Sequence, residues 1–224
     1  MAHVPATANA PAARGDFKVL VDFDSTLFNT RRFGKDLLRD IADQAGVSYE
    51  QVSADSKKFY ANPILGGYDF QGHVTSYALD VESMWQHLDE IIRTTNYLYP
   101  DSAEFMQALR SDGYNPKILS FGEARFQHAK IVPYLAMLVD REAEPLASRD
   151  LGFDVVFCKK GEHIVDTYPG QRGVLVDDIP GQNLPDGFTE IHLDRTRELA
   201  EPEMKLGGFV VASLAQARQA IHSL

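Results

Sequence analysis

The chain has 224 residues, of which 44% are hydrophobic and 24% are charged, and its formal net charge at pH 7 is -10. This length and apolar content predict one substantial core with at most a smaller appended lobe. Such an acidic balance repels phosphate backbones, which argues against a nucleic-acid-binding surface. A small anionic ligand is still compatible with it, because a cation or lysine can reverse the field inside one pocket.

The N-terminal segment and the single cysteine bear on the compartment. Residues 1–15 are rich in Ala and Pro but lack the basic start and continuous apolar block of a signal peptide, so we expect a disordered tail. No stretch approaches the roughly 18 apolar residues of a membrane span. Cys158 has no second cysteine to pair with, which fits a reducing compartment. A cytoplasmic protein is therefore expected.

Short apolar strands alternate with helical patterns along most of the chain, which predicts an α/β fold with a parallel sheet covered by helices. Several strands are almost continuously apolar, as expected when both faces are buried. The predicted strands are FKVLVDF, PKILSF, FDVVFC, GVLVDD, FTEIHLD and GFVVAS. Helices are expected near residues 100–112 and in the C-terminal SLAQARQAIHSL.

Residues 31–96 break this alternation, because they show helical patterns and no convincing strand. The patterns are FGKDLLRDIADQAG, SYEQVSADSKKFYA and VESMWQHLDEIIRTT, with an irregular connection at Gly66 and Gly67. An insertion after the first strand lies over that strand's C-terminal end, where ligands bind in open parallel sheets. We therefore predict a helical insertion placed over a ligand site.

Two aspartates stand two residues apart at the end of the first predicted strand, in VLVDFDSTLFNT. Asp22 and Asp24 have side chains on the same side of an extended segment, and Phe23 faces the other way. Carboxylates this close repel each other unless a cation lies between them, and oxygen ligands of this kind suit Mg2+. A carboxylate can also attack phosphorus and form an aspartyl-phosphate. The alternative is a solvated turn that follows a strand.

Polar and charged side chains also end three later strands. Ser120 ends PKILS, where a hydroxyl and nearby backbone N–H groups can bind phosphate oxygens. Lys159 and Lys160 follow FDVVFC, and either could neutralise a carboxylate and a phosphoryl group. Asp177 and Asp178 form a second acidic pair at the end of GVLVDD. Magnesium-assisted phosphoryl transfer requires groups of these kinds.

Taken together, these motifs resemble those of the haloacid dehalogenase (HAD) superfamily. The first motif, Asp-x-Asp-x-Thr after an apolar strand, is present as VLVDFDST, the second as KILS, the lysine motif as CKKG and the acidic motif as GVLVDDIPGQN. Ser25 stands where the family very often has Gly. The resemblance implies a Rossmann-like three-layer core, formed by residues 16–30 and 97–224, and a helical C1-type cap at residues 31–96.

Carried over residue by residue, the resemblance implies that Asp22 is the nucleophile. It implies that Asp24 protonates the leaving oxygen, later activates water and places its backbone carbonyl on Mg2+. Ser120 and Lys160 would bind the phosphoryl group, Lys160 being favoured over Lys159 because the chain leaves the strand there. The residues expected at the metal are Asp22, Asp24, Asp177 and Asp178.

The resemblance implies a Mg2+-dependent phosphohydrolase that acts on a small phosphorylated metabolite. Dehalogenation is disfavoured, because Asp24 supplies the acid–base group that phosphoryl chemistry uses. Two alternatives stay open: a phosphomutase of the sugar-phosphate type, and a HAD-like module that binds a partner without catalysis. The sequence does not identify the substrate or the oligomeric state.

Other conspicuous residues have structural interpretations. Lys130 is expected on a helix surface. Three histidines have no partners at metal-ligand spacing and are interpreted as surface or core residues: His73, His87 and His128. Three aromatic residues of the insertion could line a substrate pocket or form the insertion's own core: Tyr60, Tyr68 and Trp85.

Overall fold

The fold was obtained as a computed structural model, which describes residues 16–60, 67–138 and 152–224. The strands of this part of the chain are β1 (Phe17–Val21), β2 (Pro116–Phe121), β3 (Phe153–Val156), β4 (Arg172–Asp177), β5 (Phe188–Leu193), β6 (Glu203–Lys205) and β7 (Gly208–Val211). They form one sheet in the order β3-β2-β1-β4-β5-β7-β6.

Helices cover the sheet and fill the region after β1. Their bounds are α1 (Thr30–Ala45), α2 (Tyr49–Ser56), α3 (Phe70–Ser76), α4 (Val81–Thr94), α5 (Ser102–Ser111), α6 (Ala124–Ile131), α7 (Leu135–Leu138), α8 (Lys160–Thr167) and α9 (Leu214–His222). A short 3-10 turn, Val132–Tyr134, joins α6 to α7. None of the helices in the described ranges combines the length and hydropathy that a membrane span requires.

The sheet confirms the predicted α/β class, and its six predicted strands all form. Every pairing from β3 to β7 is parallel, and only β6 pairs antiparallel, with β7. Strand β6 was not predicted, because all three of its residues are exposed and it has neither an apolar run nor alternation. β1 lies in the middle of the sheet between β2 and β4, and it ends at the acidic pair.

Both faces of the central strands are buried, as the apolar runs predict. Val19 and Val21 of β1 pack in a large cluster with side chains of α1, α5 and α9, whereas Leu20 packs with Ile164 of α8 on the opposite face. Because side chains alternate along an extended chain, Asp22 follows Leu20 on the α8 side. The alternation of β1 therefore directs Asp22 toward the beginning of α8.

Four helices, α1 to α4, separate β1 from α5 and β2, and no strand is described between them. The predicted helices correspond to α1, α2 and α4, whereas α3 was not predicted because its seven residues follow the glycine-containing connection. Helix α1 begins after the N-cap residue Asn29, whose side chain accepts a hydrogen bond from the backbone N–H of Arg32. The interpretation of residues 31–96 as a cap stays a prediction.

Two sequence predictions lie outside the described residues. These are the tail at residues 1–15 and the connection at Gly66. Its neighbour Gly67 is described, with a φ of 117°, a backbone conformation that side chains with a Cβ rarely adopt.

Candidate active site

The C-terminal ends of β1 and β4 place two of the predicted acidic residues side by side. The backbone N–H of Asp22 donates to the carbonyl of Val176, with a nitrogen–oxygen distance of 2.8 Å, which continues the ladder between the two strands. Asp177 is the last residue of β4 and is fully buried, and the Asp22 side chain is also buried. The parallel pairing itself therefore juxtaposes residues that lie far apart in the sequence.

Lys160 neutralises part of this charge. Its Nζ donates to Oδ1 of Asp22 and, at 2.6 Å, to Oδ2 of Asp177, and the lysine is 5% exposed. Its neighbour Lys159 precedes α8 and is exposed, so the structure brings Lys160 and not Lys159 to the acidic residues. The following residue must be small, because a Cβ on Gly161 would lie 2.2 Å from the carbonyl oxygen of Gln182. This close approach fixes the beginning of α8 against the loop after β4.

Asp22, Asp177 and Asp178 form what we call the acidic cluster, in which one carboxylate oxygen from each residue lies within 4.8 Å of the other two. Burial raises the pKa of Asp22 to about 8; Lys160 opposes the rise, and the charges of Asp177 and Asp24 add to it. Burial and the charge of Asp177 likewise raise the pKa of Asp178 to about 6. One lysine cannot balance three carboxylates, so the cluster favours binding either protons or a further cation.

The donor set of the acidic cluster fits Mg2+. The ion takes hard oxygen ligands, commonly one or two carboxylates with water and substrate phosphate completing the shell. The structure brings together the side chains of three predicted metal ligands: Asp22, Asp177 and Asp178. The side chain of the fourth, Asp24, is not part of the cluster.

The Asp24 carboxylate is instead held by three other side chains. Its Oδ1 accepts from Thr30 Oγ1 at 2.7 Å and its Oδ2 from Gln127 Nε2 at 2.9 Å. Lys130 Nζ donates to both oxygens, at 2.6 and 2.7 Å. Burial acts to raise the pKa of Asp24, but the Lys130 charge and these hydrogen bonds outweigh burial and keep the pKa below its usual value. The carboxylate is therefore ionised and fully hydrogen-bonded.

The prediction that Lys130 lies on a helix surface is wrong. Lys130 is 2% exposed, and its Nζ lies 5.1 Å from the ring centroid of Phe126 and 5.6 Å from that of Phe28. Phe126 precedes Lys130 by four residues, so the two occupy the same face of α6. The four-residue spacing between Phe126 and Lys130 is the sequence feature that could have indicated burial of this lysine.

Ser120 lies at the predicted end of β2 and is fully buried, and its hydroxyl oxygen has no hydrogen-bond partner within the described part of the chain. The hydroxyl of Thr26, from the first motif, is in the same condition. A buried hydroxyl without a partner has lost its hydration without replacement, which makes it a candidate for a ligand contact. The assignment of Ser120 to phosphate binding stays a prediction.

The turn between the two aspartates and α1 explains the unusual position 25. Ser25 has a φ of 58°, in the left-handed region that favours glycine. Its backbone N–H donates to the Phe28 carbonyl at 2.8 Å and to Thr30 Oγ1 at 3.0 Å. The same threonine hydroxyl then donates to Asp24, so the turn and the carboxylate are fixed together.

A cleft of about 240 Å³ opens onto these groups. Its charged lining residues include Asp22, Asp24, Lys130 and Lys160. Its other residues come mainly from α1, α6 and the residues between α2 and α3. Aromatic and aliphatic side chains dominate this part: Phe33, Leu37, Leu38, Tyr60, Tyr68 and Phe126.

The structure distinguishes between the two interpretations of the three aromatic residues of the insertion. Tyr60 and Tyr68 line the cleft, with ring centroids 4.9 Å apart, and Trp85 is buried outside the lining with Arg125 stacked 4.2 Å from its ring centroid. Tyr68 also approaches His73 Nδ1 at 2.6 Å through its hydroxyl.

The three histidines interpreted above as surface or core residues do not form a metal site with one another. His73 is buried, His87 lies 3.1 Å from Asp40, and His128 is exposed. No grouping of three potential ligands that includes a histidine is found among residues 16–60, 67–138 and 152–224.

Comparison with known families gives one match over most of the chain. A sequence model described as haloacid dehalogenase-like hydrolase matches residues 19–170. This range includes the last three residues of β1, both aspartates that follow the strand, the helices after them, and α8 with Lys160. Among curated protein sequences, no significant match is found.

Several solved structures share the fold. A haloacid dehalogenase-like hydrolase from Burkholderia xenovorans LB400 matches with a TM-score of 0.65 and 16% identity, over 93% of this chain and 98% of that chain. A HAD phosphatase from Thermococcus onnurineus gives a TM-score of 0.58 and 17% identity over 91% and 96%. The magnesium-bound HAD-hydrolase YfnB from Bacillus subtilis gives 0.57 and 12% over 93% and 99%. At these identities the similarity establishes the fold alone.

Proposed function

This chain belongs to the haloacid dehalogenase-like hydrolase family, and we propose that it is a Mg2+-dependent phosphatase that hydrolyses a small phosphomonoester through an aspartyl-phosphate. The family membership makes it a hydrolase. The phosphatase activity, the metal and the intermediate are our proposal.

The observation that supports the proposal most directly is the surroundings of Asp22. This carboxylate ends the central strand, contacts Lys160 and lies next to two further carboxylates at the end of a substrate-sized cleft. A nucleophile, a cation beside it and an acidic metal site are the components that phosphoryl transfer to a carboxylate requires. The magnesium-bound and phosphatase descriptions of two structures with the same fold agree with this chemistry.

In the first step, an Asp22 oxygen attacks phosphorus, and the bond between phosphorus and the leaving oxygen breaks. The products are an aspartyl-phosphate and an alcohol, whose oxygen takes up a proton that Asp24 is proposed to donate. Lys160 neutralises negative charge on Asp22 before attack and on the phosphoryl oxygens during transfer. Ser120 is proposed to donate its free hydroxyl hydrogen to one of those oxygens.

In the second step, water attacks the aspartyl-phosphate, which releases inorganic phosphate and restores the Asp22 carboxylate. Asp24 is proposed as the base that removes the proton from this water. Its lowered pKa keeps it ionised and therefore suited to this half of the reaction. The proposed acid role in the first step requires Asp24 to gain a proton, which its bond to Lys130 opposes.

The groups proposed to hold Mg2+ are the side chains of Asp22, Asp177 and Asp178 and the backbone carbonyl of Asp24. When bound, the ion would neutralise charge on the carboxylates and on the phosphoryl oxygens. The chain's own contribution is a rigid arrangement, because Asp177 Oδ1 also accepts from the backbone N–H of Ile179 at 2.8 Å.

The test is phosphate release from 4-nitrophenyl phosphate, with Mg2+ or with a chelator, by wild type and Asp22→Asn. We expect turnover only with Mg2+ and a loss of at least about 1,000-fold in Asp22→Asn, because the variant lacks the nucleophile. Asp43→Asn is the matched control, since it makes the same chemical change at an exposed position of α1 and should retain full turnover.

Two outcomes would contradict the proposal. Undiminished turnover in Asp22→Asn would show that this residue is not the nucleophile. Chloride release from 2-chloropropionate by a wild-type enzyme that releases no phosphate would identify a dehalogenase instead.

The exposed thiol of Cys158 agrees with the proposed cytoplasmic setting, where thiols stay reduced.

A further inference from the structure

The residues that line the cleft include a charged set and an apolar set, which we call the charged end and the apolar end. The charged end contains Asp22, Asp24, Lys130 and Lys160. The apolar end is formed by Phe33 and Leu37 of α1 and by the aromatic residues Tyr60, Tyr68 and Phe126. A phosphomonoester has the same division, with a charged phosphoryl group at one end and a leaving group at the other.

The cations of the cleft are already committed. Among the described residues that line it, the positively charged ones are Lys130 and Lys160. Lys130 donates to both oxygens of Asp24, and Lys160 is shared by Asp22 and Asp177. The phosphoryl group itself can be matched by Lys160 and a metal ion. A second anionic group on the substrate would be desolvated without a cationic partner, which is strongly unfavourable.

The apolar end is shaped by ring contacts and by one glycine. Tyr68 lies 5.4 Å from the Phe126 ring centroid in an edge-on arrangement, and Phe33 lies 6.0 Å from the same ring. Gly34 lines the cleft from within α1, and a Cβ built there would meet no atom of the described residues within 4 Å. Glycine inside a helix costs about 1 kcal/mol relative to alanine. Its presence therefore leaves open space in the apolar end.

The volume limits the size of the leaving group. An apolar cavity of about 150 Å³ binds benzene. The cleft, at about 240 Å³, has room for one ring-sized apolar body together with a phosphoryl group.

From these observations, and resting on the phosphatase activity proposed above, we propose that the substrate is a phosphomonoester with an uncharged, apolar leaving group of about one ring. This substrate class excludes bisphosphates, whose second phosphoryl group would be buried against Phe33, Leu37 and Tyr68 without a cationic partner.

The test compares three primary-alcohol esters whose leaving oxygens have similar reactivity: benzyl, ethyl and 4-carboxybenzyl phosphate. We expect kcat/KM for benzyl phosphate to exceed that for ethyl phosphate at least about 30-fold, because the ring is buried against apolar side chains. We expect the added carboxylate of 4-carboxybenzyl phosphate to lower kcat/KM about 100-fold. Equal values for the benzyl and ethyl esters, or for the two benzyl esters, would overturn the inference.

A pair of leucine variants locates the preference. Gly34→Leu fills the open space and should reduce the benzyl-to-ethyl ratio to about 3 or less. Lys35→Leu adds the same side chain at the next, exposed position, outside the cleft lining, and should leave the ratio unchanged. Helix propensity favours folding of Gly34→Leu, and a thermal melt checks it. An unchanged ratio in a folded Gly34→Leu would place the preference elsewhere and overturn the assignment of this pocket.

Binding of non-hydrolysable phosphonates separates failure of this inference from failure of the proposed function. Benzylphosphonate and ethylphosphonate are titrated into wild type with Mg2+ by calorimetry. Turnover of all esters without preference would overturn only the substrate class. Absence of any turnover would overturn the phosphatase, and tighter binding of benzylphosphonate, by about 30-fold, would still support the apolar pocket. Equal binding of the two phosphonates would overturn it.

Discussion

The two buried lysines of the cleft meet aspartates in opposite ways. Lys130 is matched to a single carboxylate, Asp24, whose remaining hydrogen-bonding capacity is filled by Thr30 and Gln127. Lys160 is shared by Asp22 and Asp177, with Asp178 close by. The first arrangement is electrically balanced, and the second has an excess of negative charge.

The difference shows which of the two pairs awaits a ligand. A balanced pair gains nothing from a further cation, whereas the acidic cluster lowers its energy by binding a proton or a metal ion. The opposite pKa directions of the two aspartates express the same contrast, since the pKa of Asp24 is lowered and that of Asp22 is raised.

The largest expected effect comes from removal of each lysine. Lys160→Met leaves buried carboxylates without their cation and should lower the free energy of unfolding by about 3–5 kcal/mol in metal-free protein. Lys130→Met should cost less, about 2–3 kcal/mol, because the Asp24 side chain is 26% exposed and water can solvate it. Denaturant titrations measure both values.

Lys159→Met is the matched control, since Lys159 is exposed and adjacent to Lys160; its effect should stay within about 0.5 kcal/mol. Measured against wild type at the same Mg2+ concentration, Lys160→Met should regain part of its lost stability, whereas the deficit of Lys130→Met should stay unchanged, because its intact acidic cluster binds Mg2+ as the wild type does. An equal response of the two variants to Mg2+ would remove the distinction between the pairs.

The next effect concerns metal binding to the wild type. Mg2+ at 100 times its dissociation constant should stabilise the folded protein by about 2.7 kcal/mol, provided that the unfolded chain does not bind it. Asp178→Asn removes one carboxylate of the acidic cluster and should weaken this stabilisation. The control Asp186→Asn changes an exposed aspartate and should respond to Mg2+ as the wild type does. Thermal unfolding with and without Mg2+ measures the shift, and an undiminished shift in Asp178→Asn would contradict the assignment of that residue.

The smallest expected effect is the pH dependence of the acidic cluster. Asp22 and Asp178 have folded-state pKa values of about 8 and about 6, above the ordinary 3.8. Their contribution to metal-free stability is therefore fully present below pH 3.8 and is lost as the pH rises through 6 and 8. Protons and Mg2+ compete for the same oxygens. For each proton that Mg2+ displaces, its affinity should fall by up to about tenfold for every pH unit from pH 8 down to pH 6.

Calorimetric titration of Mg2+ at pH 6, 7 and 8 measures this dependence. Asp186→Asn serves as the control, because it changes an exposed aspartate outside the acidic cluster and should show the same dependence as the wild type. An affinity that does not change with pH would mean that Mg2+ binds elsewhere.

The sheet was predictable and several smaller elements were not. The six strands that form the parallel part have apolar runs, which directly reflect burial on both faces. β6 consists of three exposed residues that pair with β7, with an ion pair from Glu203 to Arg197, and α3 is a seven-residue helix after a glycine. Elements this short depend on tertiary contacts rather than on their own sequence pattern.

By itself, the sequence determined where the acidic residues and Lys160 would meet. Parallel strands end at one edge of the sheet, so groups that follow β1, β3 and β4 must gather there whatever the detailed packing. The tertiary structure alone decided the partner of Asp24 and the character of the cleft. Lys130 lies 106 residues from Asp24, and a charge on a helix does not reveal what the helix packs against. The apolar end likewise forms where α1, α6 and the residues between α2 and α3 converge. Convergence of segments that are distant in the sequence leaves no local pattern from which it could be predicted.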